Sequence, residues 1–326
     1  MYKKISAIVV PTLIAVAIIV YLLYPVWGNP VTQDALNHMN LRYLVIGIIF
    51  CLAAWWVRGW RYHRILLALN YRVPVLVATA CVFVSQAVNL VVPARLGDFV
   101  RIFILKHEYN TSYSEGISSI VVERVFDILT VALLGAVAIL FGLNVPSEYF
   151  QIIVAILVVI VIFFVFLLFV GKLTTKNKYI GMILTLLDEI RRASLSLQSI
   201  IILSVSSIVI WLLDVLVCVA VAMMFQQHIP FAVVVLAIVI GNLVKAVPIT
   251  PGGMGTYEYF VAQIFQQIGG VSKEIATLIA FIDHLIKNVI TGLGGIISIY
   301  YLGDWVIPTI RKAIHSKLEG GKNPEP

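Results

Sequence analysis

Three uncharged apolar runs, Ile5–Tyr24, Val73–Ala94 and Phe150–Gly171, are each long enough to cross the hydrocarbon core of a bilayer. A fourth, Ile275–Gly303, has the length but carries charges. Runs of this length are expected as helices, because a helix satisfies its own backbone polar groups where no water is available. Composition agrees. Of the 326 residues 61% are hydrophobic and 12% charged, whereas soluble globular chains carry about 25% charged residues. The sequence is that of an all-α polytopic membrane protein.

Lys3 and Lys4 ahead of the first run resemble the start of a secretory leader. The run is long for that role, and "LYPVWGNP" offers no small-x-small cleavage site, so an uncleaved first helix is expected. Cys51, Cys81 and Cys218 lie far apart within apolar runs and lack metal-ligand spacing, so they are expected as small packing residues. The net charge of +7 comes from Lys and Arg concentrated between spans, which the positive-inside rule explains, and no nucleic-acid-binding motif appears.

Charge also orients the chain. No Lys or Arg occurs between Val26 and Leu41 or between Asn144 and Tyr149. Four Arg and His63 fall between Arg58 and Arg72; Lys172, Lys176, Lys178, Arg191 and Arg192 follow Gly171; Arg311, Lys312, Lys317 and Lys322 lie in the tail. Basic segments belong on the cytoplasmic side, so both termini are expected there. Six full spans fit, near 5–24, 41–57, 117–143, 150–171, 200–225 and 273–303.

Two segments remain, 73–107 and 229–269. Each has an apolar run, a Pro/Gly break, and a second run (Phe99–Leu105 and Tyr259–Ile268) too short to cross. Each must begin and end on one side, which predicts two re-entrant helical hairpins, the first from the cytoplasm and the second from outside. Unwound backbone at membrane depth is tolerated only inside protein or beside a water-filled cavity, so both breaks are expected to face one.

The halves then match. Residues 1–145 give span, span, hairpin, span; residues 146–303 repeat that order inverted; 304–326 form a basic cytoplasmic tail. "PARLGDF" from Pro93 aligns with "PGGMGTY" from Pro251, and Glu123-Arg124-x-x-Asp127 corresponds to Asp283-His284-x-x-Lys287. Inverted repeats with broken helices are a hallmark of secondary transporters.

The candidate site residues gather at the breaks. Short helices are expected to start near Gly97 and near Gly255–Thr256, and a helix N-terminus with free N–H groups suits an anion such as phosphate. Gly252, Gly253 and Gly255 would let a headgroup approach the backbone closely. Arg95, Asp98 and Arg101 flank the first break; Lys245 and Glu258 flank the second. Ionisable residues inside spans usually face a cavity or a partner. Glu123 and Asp127 repel at i,i+4 unless a cation stands nearby, which Arg124, Arg95 or a substrate amine would supply. Asp283 and Lys287 make an i,i+4 ion pair, and Asp214 either joins the cavity or bonds another helix. His63 and His107 sit among cytoplasmic basic residues, and His38, His228 and His315 are expected in solvent. No HExxH, nucleophile elbow, P-loop or paired Cys/His cluster appears, so no catalytic residue, metal, cofactor or ATP drive is expected.

"NLVVPARLGDFVR" (89–101), "VVERVFDILTVALL" (121–134) and "VPITPGGMGTYEYF" (247–260) resemble the membrane region of the lysylphosphatidylglycerol synthase family, also called flippase-like membrane proteins. The resemblance extends over essentially the whole chain. It carries site roles to Pro93, Arg95, Gly97, Asp98, Arg101, Glu123, Arg124 and Asp127, and to Pro248, Pro251, Gly252, Gly253, Gly255 and Glu258. His284 stands beside Asp283 where the family has an arginine. The chain ends at residue 326, shortly after the last expected span, so the aminoacyl-transferase domain fused in some members is not expected.

The resemblance implies a multi-pass protein of the cell membrane that moves a polar, anionic lipid between leaflets. Candidates are a phospholipid, aminoacylated phosphatidylglycerol or a polyprenyl-phosphate carrier. Its phosphate would meet the arginines and half-helix N-termini, and an amine or hydroxyl would meet the carboxylates. Drive would come from an ion gradient, the membrane potential or the lipid gradient. The alternatives are an intramembrane enzyme acting on a lipid headgroup and a non-transporting accessory subunit of an envelope-lipid pathway. Besides the lipid, the expected partners are a second copy of the chain or a lipid-biosynthetic enzyme, and no nucleic acid.

Overall fold

The computed structural model describes residues 2–92, 95–141, 146–247 and 249–311. Pro93, Pro248, His315 and the basic tail from Lys312 lie outside the described residues. Those described form twelve α-helices and one short 3-10 turn, with no strand among them.

Polar caps and Pro/Gly positions explain where the helices begin. Helix α1 (Tyr2–Leu23) leads to a short α2 (Pro30–Asn37), whose N-cap is Asn29 with proline at the first position. Asn40 caps α3 (Leu41–Ala68) through the Arg42 N–H. This helix runs well past residue 57, the expected end of that span, so Arg58 and Arg61 are helical and not in a loop. Next come α4 (Val75–Val91) and α5 (Gly97–Tyr109). Helix α6 (Tyr113–Leu140) opens on a reciprocal capping box between Ser112 and Glu115. Helix α7 (Ser147–Val170) is followed by α8 (Lys178–Ser194), an element not expected from the sequence, capped by Asn177. Helix α9 (Leu197–Met224) leads to α10 (Phe231–Ala246), the turn Pro251–Gly253, α11 (Thr256–Gln267) and α12 (Lys273–Leu302).

Helices α3, α7, α9 and α12 are long and apolar enough to cross a membrane. Val9–Leu23, α4 and α10 are shorter apolar helices. The chain is thus a multi-pass, all-helical membrane protein. Both broken segments appear as helix, break, helix, and in each the two arms pack together, α4 on α5 and α10 on α11.

The packing crosses between the halves. Helix α3 lies along α9, α4 packs on α12, and α10 packs on α6. Close approach at the α3–α4 contact requires Gly59, because a β-carbon there would overlap the Thr79 side chain. The core is therefore assembled from both halves at once, and the 3-10 turn of the second break touches α4 of the first broken segment.

Candidate functional site

A cavity of about 400 Å³ opens between the two breaks. It is walled by the C-terminal part of α3, both arms of each broken segment, α6, α9 and α12. Of the residues expected at the site, Arg95, Asp98, Glu123, Arg124, Asp127, Lys245, Gly252, Gly253 and His284 line it. Gly97, Arg101, Pro251, Gly255, Glu258 and Asp283 do not; they stand behind the wall and hold it.

On the first side, Arg61 is 1% exposed and is the centre of the arrangement. Its guanidinium makes a fork to Asp127 (2.6 and 3.1 Å), reaches Glu123 Oε1 at 3.4 Å and donates to Ser207 Oγ at 2.7 Å. One arginine of α3 therefore fastens α6 and α9, with the planar bidentate geometry that carboxylates favour. Trp211 Nε1–H also donates to Asp127, at 3.2 Å. Arg101 pairs with Glu123 Oε2 and lies over the Tyr62 ring, 4.4 Å from its centroid. The cations in direct contact with Glu123 and Asp127 are thus Arg61 and Arg101. Arg124 instead donates to both oxygens of Asp98 at 3.2 Å. Asp98 also accepts from Ser85 Oγ and Asn89 Nδ2. Asp214 of α9 pairs with Arg58 of α3.

The first helix start is not open to a ligand in the way the sequence suggested. The Gly97 N–H is taken by Asn89 Oδ1 at 2.8 Å. A β-carbon on Gly97 would overlap the Ser85 carbonyl, so glycine there serves the close packing of α5 on α4. At the second helix start one donor is taken by a carboxylate. Glu258 Oε2 accepts the Gly255 N–H at 2.7 Å, satisfying one of the donors left free at a helix N-terminus.

Behind the second break, His284 Nδ1 meets Glu258 Oε1 at 2.7 Å and its Nε2 meets Lys245 Nζ at 3.1 Å. An ammonium only donates, so Nε2 accepts and the ring proton sits on Nδ1, donated to Glu258. Asp283 accepts from Tyr257 O–H at 2.7 Å and pairs with Lys287 at 2.8 Å, as its i,i+4 spacing implied. Gly253 holds φ +77°, and a β-carbon there would press on the Lys245 side chain. The turn thereby lets Lys245 lie against the backbone of the break.

Two cations on the wall have no carboxylate within ion-pairing distance among the described residues. Arg95 donates to the Lys245 carbonyl at 3.3 Å, and Lys245 donates to His284 Nε2 and lies 5.7 Å from the centroid of the Tyr257 ring. Arg95 itself adopts φ +54°, uncommon for a residue with a side chain and concentrated at functional positions.

Arg58 and Arg61 were missed as site residues because they fall among the basic residues assigned to a cytoplasmic segment. A signal existed. Their i,i+3 spacing puts both on one helical face, and Glu123, Asp127 and Asp214 called for cations inside the spans. His63, by contrast, bonds the Val73 carbonyl, and His107 stacks on Trp305, both away from the cavity.

Residues 8–295 match the family described as "Lysylphosphatidylglycerol synthase TM region". A Haloferax volcanii protein named "Glycosyltransferase AglD" is 30% identical over 300 residues, 78% of this chain and 48% of that protein, so the chain spans about half the length of that relative. "UPF0104 membrane protein PH1989" of Pyrococcus horikoshii is 25% identical over 87% of this chain and 94% of its own. "UPF0104 membrane protein MJ1078" of Methanocaldococcus jannaschii is 30% identical over 55% of this chain and 79% of its own. The chain belongs to the lysylphosphatidylglycerol synthase transmembrane-region family.

Proposed function

We propose that this protein is a lipid translocator, a flippase that carries a polar, anionic headgroup between leaflets while the tails stay in the bilayer. The observation that carries the reading is the cavity between the two breaks, with Arg95 and Lys245 on its wall and no carboxylate among the described residues within ion-pairing distance of either. Partly buried cations without an anionic partner are costly at membrane depth, and a phosphate would offset that cost.

The proposed architecture has six spans, two re-entrant hairpins and an inverted repeat, with both termini cytoplasmic. Local contacts support it. At one end of the bundle His63 bonds Val73, Tyr71 O–H bonds Glu115, and Glu189 of α8 accepts from Ser114 and Ser118, so α3 ends where α4 and α6 begin. Phe103 of α5 packs on Tyr113, bringing the second arm back to that end. Arg64, Lys172, Lys176, Arg191 and Arg192 lie in or beside these segments, which favours the cytoplasmic side for this end. At the other end Asn40 N–H bonds the Met224 carbonyl, and Asn29 bonds Glu274. The exchange of α4 onto α12 and α10 onto α6 is the pattern that inverted halves produce. Alternate opening of the halves would expose the cavity to each leaflet in turn. The activity in the printed name of the Haloferax relative is not carried over, since that protein is about twice as long as the matched region.

Reconstitution into liposomes holding reporter phospholipids and polyprenyl phosphates, with and without a pH gradient, tests the reading. Transfer of a headgroup between leaflets is expected. An unchanged leaflet distribution for every headgroup would sink it. Cysteine at Asn29 and at Thr175, introduced beside buried native thiols, should label from opposite faces of the same liposomes; labelling from one face would overturn the topology.

A further inference from the structure

The charges around the cavity narrow the lipid further. Every carboxylate on the wall or directly behind it already holds a cationic or imidazole partner from this chain. Seven Lys and Arg stand among six carboxylates there; five cations hold five carboxylates and the neutral His284 holds Glu258, so Arg95 and Lys245 are both unmatched and the net charge is one positive. A headgroup amine entering this space would find no open carboxylate and two cations of its own sign. Displacing an arginine from a buried fork to make room would leave that arginine uncompensated. Neutral groups are open, however. Gln86 and Asn288 line the same cavity, and neither makes a side-chain hydrogen bond among the described residues. Amides both donate and accept, which suits hydroxyl groups.

We propose that the cavity recognises a phosphate ester bearing hydroxyls and no amine, the class of glycerol- or sugar-phosphate lipids, and rejects aminoacylated headgroups. This rests on the translocator reading in taking the cavity as the place a headgroup occupies. It runs against the substrate that the family's description would suggest.

The test is calorimetric binding to the purified full chain in detergent, using dihexanoyl phosphatidylglycerol, its lysyl ester and free glycerol phosphate. Phosphatidylglycerol is expected to bind roughly tenfold or more tightly than either of the others, and Lys245→Gln or Arg95→Gln to weaken it roughly tenfold, the scale of one lost charge-assisted contact. Lysyl ester binding as tightly as phosphatidylglycerol, or no binding at all, overturns the proposal. Glycerol phosphate binding as tightly as the lipid makes a soluble anion the ligand and overturns the lipid assignment. Selective binding without leaflet exchange in liposomes supports this inference and removes the translocator reading instead.

Discussion

The two breaks face one cavity but are braced by different chemistry. Behind the first, arginines hold carboxylates, Arg61 in a two-nitrogen fork on Asp127, and tie α3, α5, α6 and α9 together. Behind the second, where there is no arginine, lysine, histidine and tyrosine hold Glu258 and Asp283 between α10, α11 and α12. Arginine is always charged and fixed by its planar fork, whereas lysine is a point charge on a flexible stem. The first side is therefore a rigid frame. The second leaves a cation, Lys245, that can follow a ligand.

The largest effect should come from breaking the frame. Arg61→Ala would leave Asp127 with only Trp211 as a donor partner and deprive Glu123 of one of two cations. Removing one partner of a buried ion pair costs about 3–5 kcal/mol. Thermal unfolding of the purified protein in detergent should show it, with partial rescue in Arg61→Ala/Asp127→Asn. A loss below about 1 kcal/mol would mean that Arg61 does not fasten these helices, and the contrast between the two sides would lapse.

The broad architecture was legible because bilayer thickness imposes run length, and because Pro and Gly cannot continue a buried helix. Both helix–break–helix segments follow from those facts alone. What escaped was the assignment of partners. Arg58 and Arg61 belong to a cluster of basic residues, and charge bias along the chain cannot say where an interfacial segment stops and a buried helix face begins. Arg95 and Glu258 look equivalent in sequence, each an ionisable group beside a break. Folded, Arg95 faces the cavity while Glu258 closes the helix behind it, because the Gly255 N–H needs an acceptor that the turn does not supply. Helix α8 was hidden because its apolar stretch, Tyr179 to Leu187, is too short to cross a membrane and is flanked by charges in a segment assigned to a loop.

A matched pair of substitutions sharpens the contrast at intermediate cost. Tyr257 donates to the Asp283 carboxylate, whereas the Tyr62 hydroxyl shares a neutral bond with Ser119 at 3.1 Å. Hydrogen bonds to charged groups contribute about 1.5–3 kcal/mol and neutral ones about 0.5–1.5. Tyr257→Phe should therefore lose more stability than Tyr62→Phe, although both rings are buried and both phenylalanines keep the cation beside the ring. Denaturant titration of the two variants side by side measures the difference. Equal losses would indicate that Lys287 alone satisfies Asp283, and that the tyrosine is no part of the second brace.

The smallest change in stability is expected at Lys245. Its ammonium meets an imidazole nitrogen and no carboxylate, so Lys245→Gln orphans no charge, and the amide can still donate to His284 Nε2. Neutralising it also removes a positive charge facing Arg95 across the break. Stability should then fall by no more than about 1 kcal/mol, the scale of one neutral hydrogen bond that the amide largely keeps. The same thermal measurement used for Arg61→Ala decides this. A loss of several kcal/mol would place Lys245 in the frame with the arginines. It would also mean that the charge left over at the cavity wall is held for the fold, since a cation kept free for a ligand should be dispensable to the empty protein.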